Sequence, residues 1–481
     1  MVAGSVVAMA IGVGCGGPRL SPQLDWITDG TRPVHERVAA IEAFTPEMEG
    51  VPWNEVRESL KDIVFRINDP QPMRIAAMRT LAMDDANRAN TVRVLMRTLP
   101  LEARARNWGM IEAVGEEAAA RGWNELAPAF VASWAREVRG VDDEERPERV
   151  ALMALTGSRD LTETVFDAAV MERQDGATAR AQRDAVYALL CRLDPEGVRT
   201  AALLVSMDDR GSVDPVFIAL TEAARVLSEL PRTPEQLGWF AALAESNASE
   251  LDGWLQIAER FGASTGSAMS LRHLPALAYT DERAPHRLTM DGPGLRRTLE
   301  ERLAGRRHWF RTKGSMAGAR RELLRDWRDA LSVSDLLVLH AAIDAVDDAG
   351  GYAALTRALE IDRVDTSTEY GGLVRFENAG SAFRWIVYPP RGTERFGDER
   401  FVASAEMIAA QPTALFHFHM QVQRAENEDF AGASTEDVAY AARWGRACLV
   451  LTSVSEGVLN ADYYQPNGAR VDLGEIVLPG R

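Results

Sequence analysis

The chain has 481 residues, with 54 Lys+Arg against 71 Asp+Glu and a formal net charge of −17. A content of 46% hydrophobic and 26% charged residues supplies large cores and excludes disorder throughout, and the length suggests roughly two to four domains. The acidity argues against a duplex-DNA binder, which needs clustered positive charge; three cysteines, Cys15, Cys191 and Cys448, exclude a disulfide scaffold or a four-cysteine zinc site.

Residues 1–14, MVAGSVVAMAIGVG, are small and apolar. They are too short to span a bilayer, which needs about 20 helical residues. Cys15 follows, then Gly16, Gly17 and Pro18. An apolar stretch ending in small residues before a cysteine resembles a bacterial lipoprotein signal. Gly12 stands where a leucine-like residue is usual, and no Lys or Arg precedes the run. The resemblance implies a signal over 1–15, lipidation at Cys15, a linker over 16–32 and a place in the bacterial cell envelope. Membrane attachment would then be through the N-terminal lipid alone. The other reading is an apolar leader with an incidental cysteine.

From 33 to 261 the text is one short helix after another, including Trp53–Ile67, Pro72–Met83, Asn87–Leu99, Asn107–Ala120 and Ala179–Leu193. Ile75, Met78 and Leu81 recur at helical spacing, as do Val92, Leu95 and Leu99. Asn68-Asp69-Pro70 and Asp84-Asp85 punctuate them. The stretch from Asp69, DPQPMRIAAMRTLAMDD, resembles a HEAT-like repeat. The expected architecture is an N-terminal all-α region, either an α-solenoid or an irregular helical domain, with an extended surface for a protein or peptide partner. Residues 262–292 collect Gly, Ser and Pro and are expected to form a loop or domain junction. Helices are expected to resume over 293–362, at Pro293–Thr312, Ala317–Leu331, Val333–Val346 and Tyr352–Glu360. The arginines there, from Arg296 to Arg328, interleave with Glu300, Glu301, Glu322 and Asp326, as on a solvated, ion-paired helix surface.

After Arg363 the pattern turns to strands. Gly371–Glu377 and Phe383–Tyr388 read as a hairpin around Asn378-Ala379-Gly380. Ala414–Gln423, Ala447–Ser453, Asn460–Tyr464 and Arg470–Ile476 are further strands, and Ser434–Trp444 is a helix. Residues 363–481 are therefore expected to form an α+β domain.

Two of the seven histidines stand two apart in a strand, His417-Phe418-His419. Period two puts both imidazoles on one face, which is half of a metal site. Asp437 can add a ligand from the first turn of the following helix, with Ser434 beside it. Glu369 precedes Tyr370-Gly371-Gly372-Leu373 at the head of the first strand. Each piece has a plain alternative: Ser434-x-x-Asp437 is also a capping box, the histidines can be satisfied core residues, and Glu369 an ordinary strand-edge carboxylate.

Taken together, an upstream Glu, His-x-His and Ser-x-x-Asp at a helix start resemble the JAMM (MPN+) metalloprotease family. That resemblance implies zinc held by His417, His419 and Asp437, with Glu369 as general base and Ser434 as oxyanion donor. Met420 stands where the family has Pro, and 14 residues separate His419 from Ser434. The zinc assignment rests on the family; the ligand set alone also accepts iron or manganese. The implied activity is hydrolysis of a peptide or isopeptide bond by an envelope-tethered enzyme. The alternative is a protein of the same fold, catalytically inactive, that serves as a binding scaffold. No HExxH, no G-x-x-x-x-G-K-[ST] and no G-x-S-x-G occurs in the sequence. Cys448 lies in an apolar strand and reads as core. The run Asn460–Pro466 fits either an exposed edge strand or a substrate groove.

Overall fold

The computed structural model describes residues 22–171, 176–209, 214–314, 322–377, 382–397 and 400–479. The lipoprotein-type segment with Cys15, and the tip of the predicted hairpin at Asn378–Gly380, lie outside the described residues. The chain forms two compact units that divide between Ala168 and Ala169.

The first unit is helical. It includes Trp53–Phe65, Gln71–Ala82, Arg88–Ala105, Trp108–Arg121, Ala127–Trp134 and Pro147–Thr156. Helices pack mainly with the next but one: Gln71–Ala82 on Trp108–Arg121, that helix on Pro147–Thr156, and Arg88–Ala105 on Ala127–Trp134. The three-and-four spacing explains the burial, since Met73, Ala76, Ala77 and Leu81 all face inward. Asp84 opens a turn by accepting the Asn87 amide at 3.2 Å, and Gly122 and Gly157 end helices in the left-handed conformation. A buried ion pair crosses this unit. Arg74 Nη1 donates to Glu102 Oε2 at 2.9 Å, with both side chains 1% exposed. Val64 O takes Arg74 Nε, and Asn107 donates to Glu102.

The second unit begins with helices up to Ala248–Thr265. The loop expected over 262–292 is instead largely helical. A turn at Leu271–His273 leads into a helix over Leu274–Arg283, and a further turn covers Pro285–Thr289. The Ser and Pro that looked like breakers sit at helix starts, where Ser270 caps and Pro275 occupies the first turn. Leu274, Ala276 and Leu277 are buried, and the helix packs on Val333–Asp347.

The helices expected at Pro293–Thr312 and Ala317–Leu331 are also corrected. The first ends at Leu303, and the described part of the second holds only a single turn, Leu324–Trp327. Residues 304–314 form a strap without regular structure. Its polar groups are spent on other elements. Arg306 Nη1 donates to Leu473 O at 2.9 Å, Trp309 N to Asp472 Oδ2 at 2.8 Å, and the Thr312 and Lys313 amides to Asp429 O at 2.8 and 3.0 Å.

The C-terminal part is a six-stranded mixed sheet in the order β2-β1-β3-β4-β5-β6. Its strands are β1 (Gly371–Glu377), β2 (Ala382–Val387), β3 (Phe416–Gln421), β4 (Cys448–Ser455), β5 (Val458–Tyr464) and β6 (Arg470–Val477). β3 and β4 are parallel, joined through the Thr435–Trp444 helix; the other pairs are antiparallel. Register places Gly371, His419, Val450, Asp462 and Asp472 in one row across five strands. Paired residues share a face, so this face carries His419 and the acids of β5 and β6. The Thr435–Trp444 helix covers it, with Ala433, Ala441, Cys448, Val450 and Tyr464 forming a buried cluster. Phe418 points the other way, edge-on to Trp385 at 5.0 Å. Among the described residues no helix is long and apolar enough to cross a membrane.

Candidate metal site

β3 carries His417 and His419 on one face of the sheet, and both are buried. Ser434 is the N-cap of the Thr435–Trp444 helix, and Asp437 stands in its first turn. The predicted capping box is present. The Ser434 hydroxyl donates to Asp437 Oδ2 at 2.8 Å, the Ser434 amide donates to the same oxygen at 2.7 Å, and the Asp437 amide returns to Ser434 Oγ at 3.1 Å. The cap spends Oδ2 and aims Oδ1 at β3, where it lies 3.3 Å from His419 Nε2. One carboxylate thus both starts the helix and faces the histidines.

Each imidazole is held at its other nitrogen by a tyrosine. The Tyr440 hydroxyl is 2.8 Å from His417 Nδ1, and the Tyr464 hydroxyl 3.4 Å from His419 Nδ1. Both Nε2 atoms are buried without a hydrogen-bond partner. Burial, helped by Arg446, keeps the His417 pKa well below its ordinary value. Burial lowers that of His419 against the pull of Asp437. Both rings are therefore neutral near pH 7, the form in which imidazole ligates metals. Among the described residues, no three His, Cys, Asp or Glu side chains already stand as a metal cage. The site offers the His419–Asp437 pair, with His417 two residues away on the same face.

Gly371, opposite His419, has a steric reason to be glycine. A Cβ there would meet Phe418 O at 2.5 Å and the ring of Phe401, which lies stacked on His419 with centroids 5.7 Å apart. Glu369 is two residues earlier and 6% exposed.

Sequence reasoning missed the cation of this region. Arg311, read as part of a solvated surface, is 4% exposed. Its Nη2 donates to Gly432 O at 2.5 Å and to Gln421 Oε1 at 3.4 Å. Burial lowers its pKa, and the charges of Asp437, Asp462, Glu322 and Glu369 raise it again. This one guanidinium lies among the predicted ligand, the predicted base and two further acids. Glu322, read with the same surface, is also buried, and both its carboxylate oxygens lack a hydrogen-bond partner. Burial pushes its pKa up to about 7, with Arg470 pulling against it. Gly432, at φ +96°, leaves room for this side chain; a Cβ there would come within 3.0 Å of it. Asp462 is likewise raised, first by burial and then by Asp472 and Glu322. Asn460 and Asp462 thus belong to a buried interior strand rather than an exposed edge.

The acidic interval after His419 is pinned in place. Asn427 N donates to Ser453 O and Asn427 Nδ2 to Gln421 O, while Asp429 takes the strap. Tyr440 was legible in principle, three residues after Asp437 on the same helix face. Arg311 and Glu322 had no local signal. Comparison with protein families, with characterised proteins and with solved structures returns no match.

Proposed function

We propose that the C-terminal part of this chain is a zinc-dependent hydrolase of the JAMM type, acting on a peptide or isopeptide bond. The observation that carries the reading is the pair of buried, unpartnered Nε2 atoms on β3 with Asp437 Oδ1 3.3 Å from one of them. Unsatisfied buried polar atoms are costly, and two imidazoles with one carboxylate are a donor set that suits zinc and leaves a position open. When bound there, zinc supplies Lewis acidity and lowers the pKa of water to about 7.

The protein groups divide the remaining work. His417 Nε2, His419 Nε2 and Asp437 Oδ1 hold the metal. Glu369 takes a proton at its carboxylate and passes it to the leaving amine. The Ser434 hydroxyl, which donates to Asp437 Oδ2, turns to a developing oxyanion. Phe401 keeps water from the outer face of His419. The helical regions, in a HEAT-like arrangement, present a protein or peptide partner, and a lipid on Cys15 tethers the chain to a bacterial envelope. The support for that tether is the sequence of residues 1–18.

Arg311 favours a second reading, in which the fold is retained as a metal-free binding scaffold, because its guanidinium neutralises the acids that a metal would meet. A peptide-library assay separates the two. The zinc-loaded chain is expected to cleave, and Glu369→Gln to keep zinc while losing about 10²–10⁴ in rate. Bound zinc without cleavage by the wild type would favour the scaffold.

A further inference from the structure

We infer that Tyr464 and Cys448 are positioning residues: they form a one-way hydrogen-bond chain that fixes the tautomer of His419 with Nε2 unprotonated. What the free Nε2 is for rests on the metal-site reading above; the direction of the chain does not.

The argument starts at the end of the chain whose role is beyond choice. The Cys448 thiol reaches the backbone carbonyl of Arg446 at 3.7 Å, within range for sulfur. A carbonyl only accepts, so the S–H must donate. The sulfur is then left as an acceptor. Cys448 and Tyr464 are directly paired across β4 and β5, and their side chains are hydrogen-bonded. Tyr464 therefore donates its phenolic hydrogen to Cys448 Sγ. Its oxygen is left to accept, and the group within reach is His419 Nδ1 at 3.4 Å. A hydrogen on Nδ1 completes the chain, and a neutral imidazole protonated there carries its lone pair on Nε2.

The surroundings agree with this direction. Asp437 Oδ1 would be the natural acceptor for the opposite tautomer, yet its approach to Nε2 does not meet hydrogen-bond geometry, and Nε2 stays without a partner. Burial keeps the Tyr464 hydroxyl and the Cys448 thiol protonated, so the hydrogens the chain requires are present. All three side chains are buried, which excludes water as a substitute partner. The arrangement has the logic of outer groups that orient metal-binding histidines. Here the orienting group is a phenol backed by a thiol, which gives Cys448 a task beyond filling the core.

The test reads the tautomer directly. Imidazole ¹⁵N NMR of the metal-free full chain, with His419 assigned by His419→Gln, is expected to show its proton on Nδ1. In Tyr464→Phe the proton moves to Nε2, and zinc affinity falls about tenfold, the scale for loss of such an orienting group. Cys448→Ala weakens the preference, whereas Cys448→Ser restores it, because a hydroxyl can donate and accept in the same order. A wild-type proton on Nε2, or a tautomer unmoved by both Tyr464→Phe and Cys448→Ala, would overturn the inference. The wild-type spectrum alone decides it if a variant fails to fold. The expected tautomer in a chain that binds no zinc would sink the metal reading and leave the hydrogen-bond chain standing.

Discussion

Arg311 Nη2 donates to the carbonyl of Gly432 at 2.5 Å, two residues before the serine that caps the Thr435–Trp444 helix. A strap from outside the α+β fold thus fixes the approach to Ser434 and supplies the positive charge among Asp437, Glu369, Glu322 and Asp462. Arg311→Met removes the donor and leaves those acids uncompensated. Breaking a buried charge cluster on one side costs about 3–5 kcal/mol. Thermal or urea unfolding followed at the C-terminal tryptophans should show a loss of that order. Arg311→Lys should lose less, because it keeps the charge but not the planar fork. An Arg311→Met variant as stable as wild type would mean that the guanidinium is not needed there.

Glu322 gives the chain a defined pH response. Its folded pKa is about 7 against an ordinary 4.5, raised mainly by burial. Between those values the folded form keeps a proton that the unfolded form has released, so its contribution to stability falls as pH rises through that window. Above pH 7 the penalty is constant, of order 1–3 kcal/mol. Glu322→Gln should match wild type near pH 4 and exceed it at pH 8. The check is the difference in Tm between the two proteins at several pH values. A difference that does not change with pH would contradict the assignment.

In the first unit, Glu102 is the sole carboxylate hydrogen-bonded to Arg74, and both side chains are 1% exposed. Glu102→Ala strands a buried guanidinium and should cost about 3–5 kcal/mol. Replacing both by methionine should cost far less, because no charge is then left in the core. Circular dichroism during urea unfolding would report the helical loss. Equal destabilisation by the single and the double variant would show that packing, not charge, is the issue.

How much of this was legible in the sequence depended on the range of the interactions. His417-x-His419 and the Ser434-x-x-Asp437 cap are local patterns, with periods of two and three that translate directly into a strand face and a helix start. β1, β2 and the last three strands were readable for the same reason. The segment 262–292 misled because Ser270 and Pro275 look alike as breakers and as helix starters; burial of Leu274 and Leu277 against another helix decided the matter. Arg311 and Glu322 were read as surface residues because their text is charged and helical in period. Only the pairing of the strap with β6 and Asp429 turns them inward. Tyr464 meets His419 through sheet register, which a single sequence does not state.

The central claim is that His417, His419 and Asp437 hold a metal. The most direct measurement is the zinc content of the purified chain after incubation with zinc and removal of excess. His417→Ala/His419→Ala should be measured beside it, with circular dichroism to establish that both are folded. The account predicts about one zinc per wild-type chain and none held by the double variant. A folded wild type that retains no zinc, or a double variant that retains as much as wild type, would contradict it.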